Sequence, residues 1–180
     1  MNTAVTVFFL IIKVFSLYFL AVSLFGLCRR RTPEPAARLR RFAVLIAARN
    51  EESCIAGLIE SLRAQHYPPE LVDIWVLPNN CTDRTAEAAR RAGAQVLEMP
   101  ASVRSKGAAL HTAAKALLRS ARNYDAFCVF DADNEADPAF LSEMNRALDR
   151  TAIVKSRILA KNRTQAGISA CYEIYFCSAN

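Results

Sequence analysis

The sequence is short of the residues that mark the commonest small functional sites. Its two histidines, His66 and His111, stand alone without metal-ligand spacing, so both read as structural residues. Six cysteines, at 28, 54, 81, 128, 171 and 177, are scattered, and no two have the close spacing of a zinc site or a dithiol redox motif. They read as reduced thiols in a cytosolic compartment, several of them buried as small apolar residues. Glycine is scarce, five in 180 residues. The glycine run of a P-loop and the glycine fingerprint of a dinucleotide-binding turn are both missing, which excludes those two routes to nucleotide binding. There are no repeats and no low-complexity tracts.

Acidic residues are nearly missing from the first 41 positions. Lys13, Arg29, Arg30, Arg31, Arg38, Arg40 and Arg41 stand there against Glu34 alone. They account for the whole formal charge of +6, since the remainder balances sixteen bases with sixteen acids. A basic surface spread over a domain would suggest nucleic acid. Confined to one stripe beside an apolar run, it excludes nucleic acid as a partner.

What is abundant is hydrophobic sequence, 53% of the chain, concentrated near the N-terminus. Residues 4–28, AVTVFFLIIKVFSLYFLAVSLFGLC, are interrupted only by Lys13 and meet the roughly 20 residues needed to cross a bilayer. Lys13 must snorkel or face a partner helix. A secretory signal carries its charge before the apolar run, whereas these arginines follow it. Leu27 is too bulky to precede Cys28 in a lipoprotein cleavage site. The segment therefore reads as a transmembrane helix, followed by a basic juxtamembrane linker over 29–41 that Pro33-Glu34-Pro35 stiffens. Arginine-rich flanks stay inside, so the reading is a single-pass cell-membrane protein with its N-terminus outside and residues 29–180 cytoplasmic. Membrane lipids are the partner this implies, with the stripe setting topology or touching anionic headgroups.

From Phe42 short apolar runs alternate with amphipathic stretches. FAVLIAA (42–48), VDIWVLP (72–78), AQVLEM (94–99) and AFCVFDA (126–132) read as strands. Helices are expected over 52–65, over 82–92 with Thr82 as N-cap, over 106–119, and from Asp137-Pro138 through Leu148. The order strand, helix, strand, helix with apolar strands predicts an α/β domain, a parallel sheet covered on both faces. Ligands in such sheets bind beyond the carboxyl ends of the strands. That directs attention to Ala48–Glu52, Pro78–Asp83 and Asp131–Asn134.

All three strand ends are polar. In Arg49-Asn50-Glu51-Glu52 a planar guanidinium, an amide and a carboxylate suit a nucleotide's base, ribose and phosphate, although Asn and Glu also suit a plain helix start. In Pro78-Asn79-Asn80-Cys81-Thr82-Asp83, Asn79 can bond to a base edge, whereas Asp83 suits a turn-supporting role. Asp131-Ala132-Asp133 sets two carboxylates at the end of an apolar strand. Hard cations such as Mg²⁺ are held by one or two carboxylates plus substrate phosphates, and unneutralised paired charges are costly. Lys106, beside Gly107 at a helix start, is a phosphate contact by position.

These motifs, in this order, resemble family-two glycosyltransferases with the A-type glycosyltransferase fold. They look closest to the membrane-attached branch that includes cellulose, hyaluronan and chitooligosaccharide synthases. The likeness runs from about Phe42 to Asn162 and rests on AARNEE (47–52), LPNNCTDRT (77–85), SKGAAL (105–110) and FDADN (130–134). It implies a Rossmann-like nucleotide-diphospho-sugar transferase domain and transfer of a sugar, with inversion, from a nucleotide-sugar donor, UDP-linked, to a glycan or lipid acceptor. It further implies that Arg49, Asn50 and Glu51 line the nucleotide pocket and that Lys106 lies by the donor diphosphate. Asp131 and Asp133 would hold Mg²⁺ or Mn²⁺. Relatives place an aspartate where this chain has Asn79, which leaves the base preference open.

Relatives also carry a general-base aspartate, and then a glutamine/arginine–arginine–tryptophan motif, further along. Here Glu173 is the sole acid after Asp149. Residues 42–180 therefore read as the N-terminal, nucleotide-binding part of the domain, with Ala166–Asn180 opening an amphipathic helix. The expectation is an incomplete chain that binds donor but turns over poorly. Two other readings are a non-catalytic nucleotide-sugar-binding remnant and a sugar nucleotidyltransferase. The absence of a glycine-rich loop after the first strand counts against the latter.

Overall fold

The computed structural model describes residues 3–26 and 36–156, and the chain divides into two compact units, Met1–Glu34 and Pro35–Asn180. The first unit is a single helix, α1 (Thr3–Gly26), whose stretch Val5–Leu24 is long and apolar enough to cross a membrane. The Ser23 hydroxyl returns to the Phe19 carbonyl at 2.8 Å, so it carries no unpaired donor on the helix surface. The anticipated end of the span at Cys28, the arginines at 29–31 and the anticipated helix after Ala166 lie outside the described residues.

The second unit is an α/β domain. Its elements follow as β1 (Phe42–Ala48), α2 (Ile55–Arg63), β2 (Val72–Pro78), α3 (Thr85–Arg91), β3 (Gln95–Val96), α4 (Lys106–Leu118), β4 (Ala126–Asp131) and α5 (Phe140–Ala147). The four strands form one parallel sheet in the order β3-β2-β1-β4. The run FAVLIAA becomes β1, the sheet's most buried strand, because helices cover both of its faces. Val44, Ile46 and Ala48 face Ile55, Leu58, Ile59 and Leu62 of α2. Ala43 and Leu45 face Ala113 and Leu117 of α4. The period of two in the strand against 3.6 in the helices produces both layers from one stretch of sequence.

Several elements are shorter than their patterns suggested, among them the helix anticipated over 52–65, which spans Ile55–Arg63. The helix anticipated from Thr82 begins at Thr85, because Asp83 turns back to accept from the Thr85 N–H at 3.0 Å and holds the preceding residues in a turn. The strand anticipated over 94–99 is ladder-paired only at Gln95 and Val96, although the Leu97 N–H still reaches the Val76 carbonyl at 2.9 Å. The last helix starts at Phe140, after the Asp137 side chain accepts from the Ala139 N–H. The expectation that both faces would be covered holds for β1 but not for β4, where Val129 is 53% exposed among the described residues. Gly93, at φ +91°, lets the Arg63 guanidinium lie where a Cβ would stand and donate to the Ala92 carbonyl.

Residues 36–41 are strapped to the domain before β1 begins. The Tyr67 hydroxyl donates to the Arg40 carbonyl and accepts from the Arg40 N–H, both at 2.8 Å. The Arg40 guanidinium reaches the Asn145 carbonyl at 2.9 Å and pairs with Asp149 at 2.8 Å. Asn145, 1% exposed, donates to the Arg38 carbonyl. Asp149 and Asp125 are held below the usual carboxylate range, chiefly by the backbone N–H groups of Ala37 and Arg41 respectively. Arg38, Arg40 and Arg41 thus have acid partners within the domain, Asp125, Asp149 and Asp73. Tyr67→Phe leaves two strap backbone groups without a partner and is expected to cost about 1–3 kcal/mol. The urea midpoint should fall with an unchanged m-value.

Candidate functional site

The strand register brings the polar loop ends together. Ala48 of β1 lies beside Pro78 of β2, and Ala47 lies beside Asp131 of β4. The loops beginning at Arg49, Asn79 and Ala132 therefore leave the same edge of the sheet.

The first two loops are zipped to each other. The Asn50 side-chain oxygen accepts from the Thr82 N–H at 2.8 Å and from its hydroxyl at 3.3 Å. The Glu51 N–H donates to the fully buried Thr85 hydroxyl at 2.9 Å, and the Glu52 N–H to Asp83 at 3.1 Å. Glu52 in turn accepts from the Arg84 N–H and pairs with the Arg84 guanidinium at 2.9 Å. Asn50 and Asn80 adopt left-handed φ values of 58° and 52°, which asparagine tolerates better than most residues. Asn50 and Asp83 are thus placed as the motifs suggest, Asp83 in a supporting role, whereas the parts played by Thr85 and Glu52 within the same motifs are not apparent from sequence. The Asp-x-Thr spacing of an Asx turn was the signal that would have found the first.

Asn79 is 7% exposed, and its N–H extends the ladder to the Ala48 carbonyl at 2.9 Å. Its side-chain oxygen accepts from Asn80, whose amide also donates to the Val103 carbonyl. A carbonyl can only accept, so Asn80 presents its NH₂ and Asn79 its oxygen, leaving the Asn79 NH₂ without a partner among the described residues.

Asp131 points to the α4 side of the sheet, as the alternation along β4 requires, and pairs with Lys106 at the first turn of α4. Ser105 caps that helix by accepting from the Ala108 N–H at 3.2 Å. Asp133 is exposed and lies within electrostatic reach of Cys54 before α2, without a hydrogen bond or ion pair of its own among the described residues. Arg49 is likewise exposed and free of ion pairs among them. No described group of three or more His, Cys, Asp or Glu side chains could hold a metal unaided. His66 and His111 are exposed.

Cys54, Cys81 and Cys128 are free and half-buried. Burial first, then the Glu51 carboxylate 3.0 Å away, pushes the Cys54 thiol up to about 11. Burial alone takes Cys128 to about 12. Both remain protonated at neutral pH, so neither is a thiolate nucleophile.

The Asp83 carboxyl is held below its ordinary value, chiefly by the Thr85 hydroxyl and then, against a desolvation penalty, by the Glu52 and Thr85 N–H groups. Its folded pKa therefore lies below the unfolded one. Its contribution to stability is complete above the ordinary carboxylate pKa of about 4 and is lost as the pH falls through the lower folded value. Asp83→Asn should unfold at lower urea than the wild-type chain at pH 7. The difference between the two midpoints should close as both are measured toward pH 3.

Against known proteins, the sequence profile described as Glycosyl transferase family 2 matches residues 43–172. The probable glycosyltransferase YdaM of Bacillus subtilis is 28% identical over 108 residues, covering 56% of this chain and 24% of the relative. The beta-monoglucosyldiacylglycerol synthase of a Nostoc species is 40% identical over 43 residues, 24% of this chain and 9% of that protein. In structure, the mannosyltransferase PcManGT of Pyrobaculum calidifontis, solved with GDP-Man and Mn²⁺, superposes with a TM-score of 0.60 at 22% identity. The match covers 73% of this chain and 39% of that one. TarS of S. aureus gives 0.51 at 21%, over 61% of this chain and 32% of that one. The two superpositions establish the fold, and the chain spans about a quarter of YdaM and two fifths of the mannosyltransferase. With the profile running from the second residue of β1 through every later element of the sheet, the chain belongs to glycosyl transferase family 2.

Proposed function

We propose that this chain carries the donor-binding part of a membrane-anchored, metal-dependent, inverting glycosyltransferase that moves a sugar from a UDP-linked donor to a glycan or lipid acceptor. The observation that carries the reading is the convergence of three polar loops on one end of a parallel sheet, with Asp131 and Lys106 facing each other there. Arg49, Asn50 and Glu51 form the nucleotide side of the pocket. The Asn50 side chain accepts from Thr82, the Glu51 N–H donates to Thr85 and the Glu52 N–H to Asp83, so the loop is organised before a ligand arrives. The open NH₂ of Asn79 bonds to a carbonyl of the base, and Lys106 offsets diphosphate charge from the start of α4.

The donor set fits a divalent cation. Two exposed carboxylates follow one another at the end of β4, and the Lys106 ammonium on Asp131 already stands where a cation would. Such a pair, completed by substrate phosphates, is the usual way of holding Mg²⁺ or Mn²⁺. Bound there, the ion acts as a Lewis acid that stabilises the departing nucleoside diphosphate. The arginines that follow α1 support a cytoplasmic domain behind a single span whose N-terminus is outside.

Calorimetric titration of the full chain with UDP tests the reading. Binding should tighten in Mn²⁺ by at least about tenfold, a difference of 1.4 kcal/mol. That gain should vanish in the double variant Asp131→Asn, Asp133→Asn. Absence of UDP binding with and without Mn²⁺ would refute the proposal.

A further inference from the structure

The Lys106–Asp131 pair does more than fill space if Asp131 is a metal ligand, the assignment on which this inference rests. Lys106 is the first residue of α4, where the helix dipole disfavours a positive charge and the four N-terminal N–H groups already attract anions. Its ammonium has turned to the Asp131 carboxylate, which emerges on the same face of the sheet. Both side chains remain about half exposed, at 48% and 58%, so the pair is screened by water and weakly held. Several other carboxylates of the loops are engaged elsewhere: Glu52 with Arg84, Glu51 with the Cys54 thiol and Asp83 with Thr85, while Asp133 lies within electrostatic reach of Cys54.

We propose that Lys106 is an ionic latch that couples metal binding to donor binding. Without donor, its ammonium holds the Asp131 carboxylate that the metal requires. When metal takes Asp131, the lysine is released on its flexible four-carbon stem and supplies its charge to the donor diphosphate. Metal alone must break the pair, and so must diphosphate alone. Bound together they break it once, which makes each favour the other by the same factor. Lys106 is on this account a positioning residue for the carboxylate as well as a phosphate contact.

The test uses the full chain and two probes, Mn²⁺ and UDP. Free Mn²⁺ is followed by electron paramagnetic resonance, and UDP binding is titrated over a series of Mn²⁺ concentrations. Lys106→Met keeps the apolar stem and removes the charge, and its exposed position spares the fold. In this variant Mn²⁺ alone should bind more tightly, by up to about fivefold, the ceiling for an exposed pair. The factor by which Mn²⁺ improves UDP binding should shrink correspondingly. Lys106→Arg should retain the wild-type coupling. Arg104→Ala removes an equally exposed charge two residues away and should change neither quantity. Unchanged or weaker Mn²⁺ binding by Lys106→Met overturns the latch, as does an equal gain in Arg104→Ala, which would mark a general effect of charge. If the wild-type chain binds neither Mn²⁺ nor UDP, the assignment of Asp131 fails and the latch fails with it.

Discussion

The register of β1 against its two neighbours is the constraint on which the rest depends. Pairing Ala48 with Pro78 and Ala47 with Asp131 ends three strands within a residue of one another, so three polar loops share one edge. A shift of one residue in either pairing would turn Asp131 to the wrong face or bury Asn79 out of reach. That register is in turn secured by side chains from both layers. Val44 and Ile46 are locked under α2, and Ala43 and Leu45 under α4, so slippage would expose every one of them.

All three loops are held by hydrogen bonds that reach beyond their own segment. Those after β1 and β2 are cross-linked by side-chain-to-backbone bonds that satisfy the Glu51, Glu52, Thr82 and Arg84 N–H groups. The chain after β4 is tied down as well: the Asn134 N–H returns to the Asp131 carbonyl at 3.2 Å, the Ala136 N–H donates to the Ser61 hydroxyl at 3.0 Å, and the Gln65 amide donates to the Asp137 carbonyl at 2.7 Å.

Much of this was legible in the residues. The apolar runs at 42–48 and 72–78 coincide with β1 and β2, and the four signature segments fall where the loops converge. Helix starts were less legible, because Asp83 and Asp137 draw nearby N–H groups into turns, a local competition that periodicity does not report. Thr85 was hidden for the same reason: its role requires Glu51, thirty-four residues away. The arginines at 38, 40 and 41 read as part of a membrane-facing stripe, yet their partners at 125, 149 and 73 are long-range acids that no local pattern could assign. The strap they form ties the entry to β1 to the far end of the fold around α5.

On the proposed function, the carboxylates at the end of β4 and the loops after β1 and β2 form one donor site. Anomalous scattering from crystals of the chain grown with Mn²⁺ and UDP tests it most directly. The expected result is a manganese peak beside the carboxylates of Asp131 or Asp133, with uridine lying between Asn79 and the Arg49–Glu51 loop. A nucleotide or manganese bound elsewhere on the domain, with Asp131 still on Lys106, would contradict it.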